Sequence, residues 1–194
     1  MQKMKLKNVI FVAIFSVLFF LVFMIGQTLF GMNPATFFFF YGIAAIPGGI
    51  IYMYMRAKVP CEYSILLMAV LIAVVAFLMG IVWPAAVGVL VGGILAEFIS
   101  RMGHYVSKKM NVIGYVAFVC CWMIFQTGYM IFGSEAFMSG MLSAGMTQEY
   151  LDVMVATAKG PMWFAALVVT IVGALVGGVV GNAIFKKHFA KLEG

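Results

Sequence analysis

The sequence predicts an all-α integral membrane protein, a single bundle of six transmembrane helices with both termini in the cytoplasm. Three observations carry this. Of 194 residues, 65% are hydrophobic and 9% are charged, more apolar surface than a soluble domain of this length can hide. The charges stand in a few clusters separated by apolar stretches of spanning length. The basic clusters also fall on alternate connections, as the positive-inside rule requires.

The first helix is expected over residues 8–29. "MQKMKLK" would serve as a basic leader, but the apolar run from Val9 to Ile25 exceeds a usual signal-peptide core, and no small-residue cleavage pattern follows. It reads as a retained helix. Asn33-Pro34 favours a turn, and the second helix follows over 35–55, ending at "RAKVP". The third is expected over 63–82. Trp83-Pro84 breaks the chain there and opens the fourth over 84–100, since proline is tolerated in a first turn. The fifth covers 111–132 and the sixth 161–185. Between them, residues 133–160 form a polar loop in which "TQEYLDVMVATA" predicts a short amphipathic helix. Thr147 is its N-cap, and Glu149 complements the positive end of the helix dipole.

This arrangement places Lys3, Lys5, Lys7, Arg56, Lys58, Arg101, Lys108, Lys109, Lys186, Lys187 and Lys191 on one side, with Lys159 alone on the other. The basic side is cytoplasmic, so the 133–160 loop is extracellular and its helix lies on the outer surface like a lid. A pI near 9.3 therefore reports orientation and does not suggest nucleic acid.

Small residues recur every four positions at Gly88, Gly92 and Ala96, and again at Gly173, Gly177 and Gly181, with Gly178 beside them. That spacing lets helix backbones approach closely in lipid; it serves either internal packing or docking of a partner helix.

Motifs for catalysis are missing. The chain holds no GxxxxGK[ST], HExxH or GxSxG pattern, and no cofactor is implied. His104 and His188 have no companion at ligand or triad spacing. Cys120 and Cys121 are neighbours on one helix, about 100° apart, and cannot bridge; Cys61 stands beside Arg56 and Lys58. No metal spacing is present. Glu97 is the one acid well inside an apolar run, with Arg101 following at i+4. It is either a snorkelling structural pair or a functional carboxylate, and no second membrane acid is present to form a relay. The chain is expected not to be an enzyme. It moves something passively, borrows an engine, or is a scaffold.

Several short motifs carry a resemblance. They are Asn33-Pro34; "PGGIIYMYM" from Pro47 with "KVP" from Lys58; "GIVWP" from Gly80 leading to "GGILAE" from Gly92; Gly145-Met146 before "EYL"; and "GGVVGNAIFKKHFAK" from Gly177. In this order, over nearly the whole chain, they resemble the Trep_Strep-type substrate-specific (S) components of energy-coupling factor (ECF) transporters. The resemblance implies a prokaryotic plasma-membrane protein that captures a vitamin-like or other trace nutrient from outside. It also implies work with a membrane coupling subunit and two cytoplasmic ATPases, whose ATP hydrolysis topples the S component and releases the ligand inward. Many S components carry an AxxxA pattern on the first helix facing the coupling subunit. Here Ala13 is followed four later by Val17, so docking is expected through Ala13 and Ser16.

The remaining feature is Gln126, in the middle of "CCWMIFQTGYMIF". Counting from Asn111 at about 1.5 Å per residue, it stands about 22 Å along the fifth helix, in the outer half of a core about 30 Å thick. Trp122, Gln126 and Tyr129 share one face at i, i+4 and i+7. Gln126 either makes an interhelical hydrogen bond or, between two stacking rings, lines a substrate pocket with Trp122 and Tyr129. The resemblance puts the site toward the outside, as the pocket reading does. Trp83, Asn33 and Trp163 are candidates to close it, though aromatic-belt anchoring also accounts for the tryptophans. A stand-alone facilitator or channel and a non-transporting scaffold are the alternative functions. The substrate's identity and charge are not legible.

Overall fold

The computed structural model describes residues 4–189; Lys3 and Lys191, used above for orientation, lie outside the described residues. The helices are α1 Leu6–Phe30, α2 Phe40–Lys58, α3 Ser64–Leu78, α4 Trp83–Met102, α5 Lys108–Phe132, α6 Ser134–Ser143, α7 Gln148–Lys159 and α8 Pro161–Phe189. A 3-10 turn over Phe37–Phe39 leads into α2. Among the described residues there is no strand.

Among the described residues, five segments are long and apolar enough to cross a membrane: α1, Phe37–Lys58, α4, α5 and Pro161–Ile184 of α8. The third helix is shorter than the expected 63–82. With 15 residues it is about 22 Å long, against a hydrocarbon core of about 30 Å. Gly80 ends it. At φ +76° it takes the left-handed conformation that glycine adopts without penalty. The Ile81 N–H bonds back to the Ala76 carbonyl and the Gly80 N–H to Phe77, closing a Schellman motif. Residues 79–82 are thereby released as a connection.

The 133–160 loop holds two helices where one was expected. In α7 the Thr147 hydroxyl accepts from the Tyr150 N–H at 3.4 Å, and Leu151, Met154 and Ala158 face the bundle. Helix α6 was not legible, because its glycine and serines depress helix propensity. Its Phe137 is nonetheless buried.

Glycines set the two closest seams. On α2 and α8, a Cβ at Gly173 would lie 2.0 Å from the Gly42 carbonyl oxygen, and one at Gly177 would lie 2.3 Å from that of Ala45. On α4 and α5, a Cβ at Gly92 would meet the Phe118 carbonyl oxygen at 2.7 Å. Both glycine rows legible in the sequence are therefore internal contact lines, with backbones close enough to exclude any side chain.

The basic end is tied by a buried polar cluster. Arg56 is 2% exposed. It donates to the carbonyls of Val59 and Tyr105, each at 3.0 Å, to the Ser64 hydroxyl, and to Asn111 Oδ1 at 3.4 Å. The ends of α2 and α4 and the starts of α3 and α5 thus converge on one guanidinium. Glu97 departs from the expected pairing with Arg101. Its carboxylate accepts from the backbone N–H groups of Tyr63, Ile65 and Leu66 at 2.7, 3.1 and 3.2 Å. Those groups are unpaired donors at the positive end of α3, where an anion is stabilised. Arg101 instead stands 3.9 Å from Glu62.

Candidate functional site

At the end of the bundle away from this cluster lies a cavity of about 480 Å³, within the range of small-molecule sites. Helices α1 and α5 and the 79–82 connection supply its walls, and α6 and α7 cover it. Tyr150 of α7 donates to the Gly31 carbonyl at 2.6 Å, which fastens the cover to the end of α1.

Gln126 lines this cavity from α5. Its Oε1 accepts from the Tyr41 hydroxyl at 2.5 Å. Both residues are buried, so the interhelical bond weighed from the sequence exists, and its partner comes from α2. No hydrogen bond is made by the Nε2 side of the amide among the described residues, and Nε2 is not sealed from the cavity. Gln126 is thus both helix glue and a cavity-facing donor.

The structure separates the other expected site residues. Trp122 lies one turn deeper, 2% exposed, stacked on Phe23 at 4.8 Å and edge-on to Tyr41. Its Nε1 is buried without a hydrogen-bond partner among the described residues. Tyr129 turns from Gln126 toward α4 and α6, with ring contacts to Trp83 at 6.0 Å and Phe137 at 6.1 Å. Trp83 is 59% exposed, the disposition of a membrane-interface anchor. Asn33 is an exposed turn residue whose Oδ1 accepts from the Ala35 N–H at 2.9 Å. Trp163 donates from Nε1 to Thr127 Oγ1 at 2.8 Å, joining α8 to α5. Of the six, the cavity lining takes only Gln126. The two rings expected on either side of the amide pack elsewhere, Trp122 on Phe23 and Tyr129 against Trp83, and the amide is met by a tyrosine from α2 that bonds to it. Sequence reasoning did not point to Gln27 and Tyr150 of the cavity lining, or to Tyr41 as the partner of Gln126. Gln27 reads as an ordinary polar residue near a helix end, and Tyr41 stands 85 residues from its partner.

On α1, Ala13 is half-buried and Ser16 is 3% exposed. The Ser16 hydroxyl donates to the Val12 carbonyl at 2.7 Å and faces the bundle. The outward face of this stretch is Ile10, Ile14, Val17 and Leu18.

The family model described as "Hypothetical bacterial integral membrane protein (Trep_Strep)" matches residues 6–191. The chain belongs to the Trep_Strep family. It is accordingly a multi-pass bacterial membrane protein, as the apolar helices require. Among solved structures, the chain is similar to one titled "Crystal structure of an S-component of ECF transporter". The TM-score is 0.52 at 20% identity, over 95% of this chain and 85% of that one. At that identity the likeness is one of fold. No curated protein sequence matches the chain.

Proposed function

We propose that this chain is the substrate-binding membrane subunit of an ATP-driven energy-coupling factor importer, which captures a vitamin-like or other trace nutrient from outside the cell. The observation that carries the reading is the covered 480 Å³ cavity at the end opposite the basic cluster. A capture site needs this placement if the basic end is cytoplasmic. The S-component-like fold supports it. Gln126 is the substrate-contacting residue, held in place by Tyr41; Trp122 backs that pair from the deeper turn. Tyr129, Trp83 and Trp163 act indirectly, by seating α4, α6 and α8 around the mouth. The partners are a membrane coupling subunit and two cytoplasmic ATPases. Coupling uses the Ala13 side of α1, with Ser16 serving the helix interior.

The test is uptake in cells carrying this chain with and without a coupling module, alongside mass spectrometry of whatever small molecule co-purifies. The reading requires a bound nutrient and uptake that depends on the module. Uptake without the module would make the chain a facilitator. A chain with no small ligand under any condition would be a scaffold.

A further inference from the structure

The lining of the cavity restricts the chemistry of what it holds. None of the described residues that line it carries a charge. Six of the seventeen lining residues are methionines, Met24, Met79, Met130, Met141, Met146 and Met154, against 17 methionines in the 194-residue chain. Thioether side chains are unbranched and adaptable, and they make favourable contacts with aromatic rings. Phe37 and Phe137 add apolar faces. Polar groups arrive from two sides. Gln126 offers the hydrogens of Nε2, its Oε1 being taken by Tyr41. Gln27, half-buried on α1, lines the same cavity with an amide that makes no hydrogen bond among the described residues.

An ion moved into such a site sheds part of its water and meets no counter-charge in the lining, so charged molecules are disfavoured. A primary amide presents a donor and an acceptor side by side. Its natural complement is a ring edge where an N–H adjoins a carbonyl or imine nitrogen, the geometry by which glutamine recognises a base edge. Taking the cavity as the substrate site, on which this step rests, we infer that its substrate is an uncharged, planar nitrogen heterocycle with a lactam-type edge. Gln27 reads the polar edge with both sides of its amide, Gln126 adds a donor from Nε2, and the methionines pack against the ring. Carboxylates, phosphates and fixed cations are rejected because nothing in the lining compensates them. Soft thioethers also suit Cu(I), so that ion is the competing occupant.

The experiment uses the full chain in lipid nanodiscs and matched probes: uracil against orotate, and riboflavin against flavin mononucleotide. Each pair shares a lactam ring and differs by an anionic group. Cu(I) is titrated separately. The expected result is thermal stabilisation by at least one neutral probe, with its charged counterpart at least tenfold weaker. Gln27→Leu and Gln126→Leu should each weaken the neutral probe at least tenfold. Gln126→Leu also removes Tyr41's partner, so Gln27→Leu, which breaks no hydrogen bond, keeps the test decisive if the first variant does not fold. Equal binding of a charged probe overturns the inference. So do stabilisation by Cu(I) alone, no response to either neutral probe, or full affinity in Gln27→Leu. Binding is measured without any ATPase, so a failure of module-dependent uptake leaves this inference standing. A charged ligand would sink it and leave the transport reading intact.

Discussion

Tyr41 and Gln126 bring two buried polar groups from α2 and α5 into one hydrogen bond inside an apolar bundle. Such bonds between membrane helices contribute roughly 0.6 to 2 kcal/mol. Removing one partner also leaves the other desolvated and unpaired. Tyr41→Phe and Gln126→Leu should each lower the thermal unfolding temperature. The double variant should lose less than the sum, by a coupling of roughly 1 kcal/mol. Strict additivity would mean that the bond does not form. Ligand affinity should divide the pair differently. Gln126→Leu should weaken binding by about tenfold, roughly 1.4 kcal/mol, while Tyr41→Phe, which spares the cavity-facing amide, should cost less. Gln126 was legible because a polar residue within an apolar run must find a partner. Its partner was not, because helical spacing fixes which residues share a face but not what that face meets. Trp122 and Tyr129 illustrate this. They lie on the expected side of α5, yet one packs into the core and the other against Trp83 and Phe137.

At the scale of elements, α3 depends on Glu97, a side chain from α4. Three backbone donors converge on this carboxylate, and hydrogen bonds to a charged group are the stronger kind. Glu97→Gln keeps the volume but removes the charge and one acceptor, so it should destabilise the protein by about 1–3 kcal/mol in thermal or denaturant unfolding. Arg101→Ala should change stability by under about 1 kcal/mol, since Arg101 is 58% exposed and its contact with Glu62 is long. Equal losses in the two variants would restore the Glu97–Arg101 pair that the i+4 spacing suggested. The glycine seams make a sharper contrast. Gly173→Val places side-chain atoms where the α2 backbone stands and should prevent recovery of folded protein in detergent. A Cβ at Gly128 would meet nothing within 4 Å, so Gly128→Ala should be neutral or stabilising by up to about 1 kcal/mol. The rows at Gly88 and Gly173 were legible from their spacing of four. Their partners were not, because Gly42 and Gly49 of α2 stand seven apart and α5 meets α4 mostly through larger residues. The end of α3 was misplaced for a related reason. Residues 79–82, "MGIV", are apolar enough to continue a span, and only the left-handed Gly80 marks the stop.

For the whole molecule, apolar content and the spacing of charges were enough to give a helical membrane bundle, because hydrocarbon leaves few structures that pair every backbone group. The cavity needed the folded chain, since its walls come from α1, α5, α6, α7 and the 79–82 connection. Coupling to a partner would act on the outer face of α1. Ala13→Trp adds bulk beside the exposed Ile10, Ile14 and Val17, and should reduce module-dependent uptake while binding by the isolated chain persists; equal loss of both would assign Ala13 to folding. Orientation governs every functional statement, and it is open to direct measurement. Lys5, Lys7, Lys58 and Lys109 stand at the end where Arg56 is buried, and Lys159 stands at the cavity end. Lys108 and Lys159 are both exposed, so a cysteine at either position is reachable from its own side. The native thiols give little background, since Cys61 is 1% exposed, and Cys120 and Cys121 lie mid-helix in α5 where a charged reagent does not partition. If the basic end is cytoplasmic, an impermeant maleimide on intact cells should label Lys159→Cys and leave Lys108→Cys unlabelled until the membrane is permeabilised. The reverse pattern would open the cavity to the cytoplasm. Capture of a nutrient from outside would then require a different site.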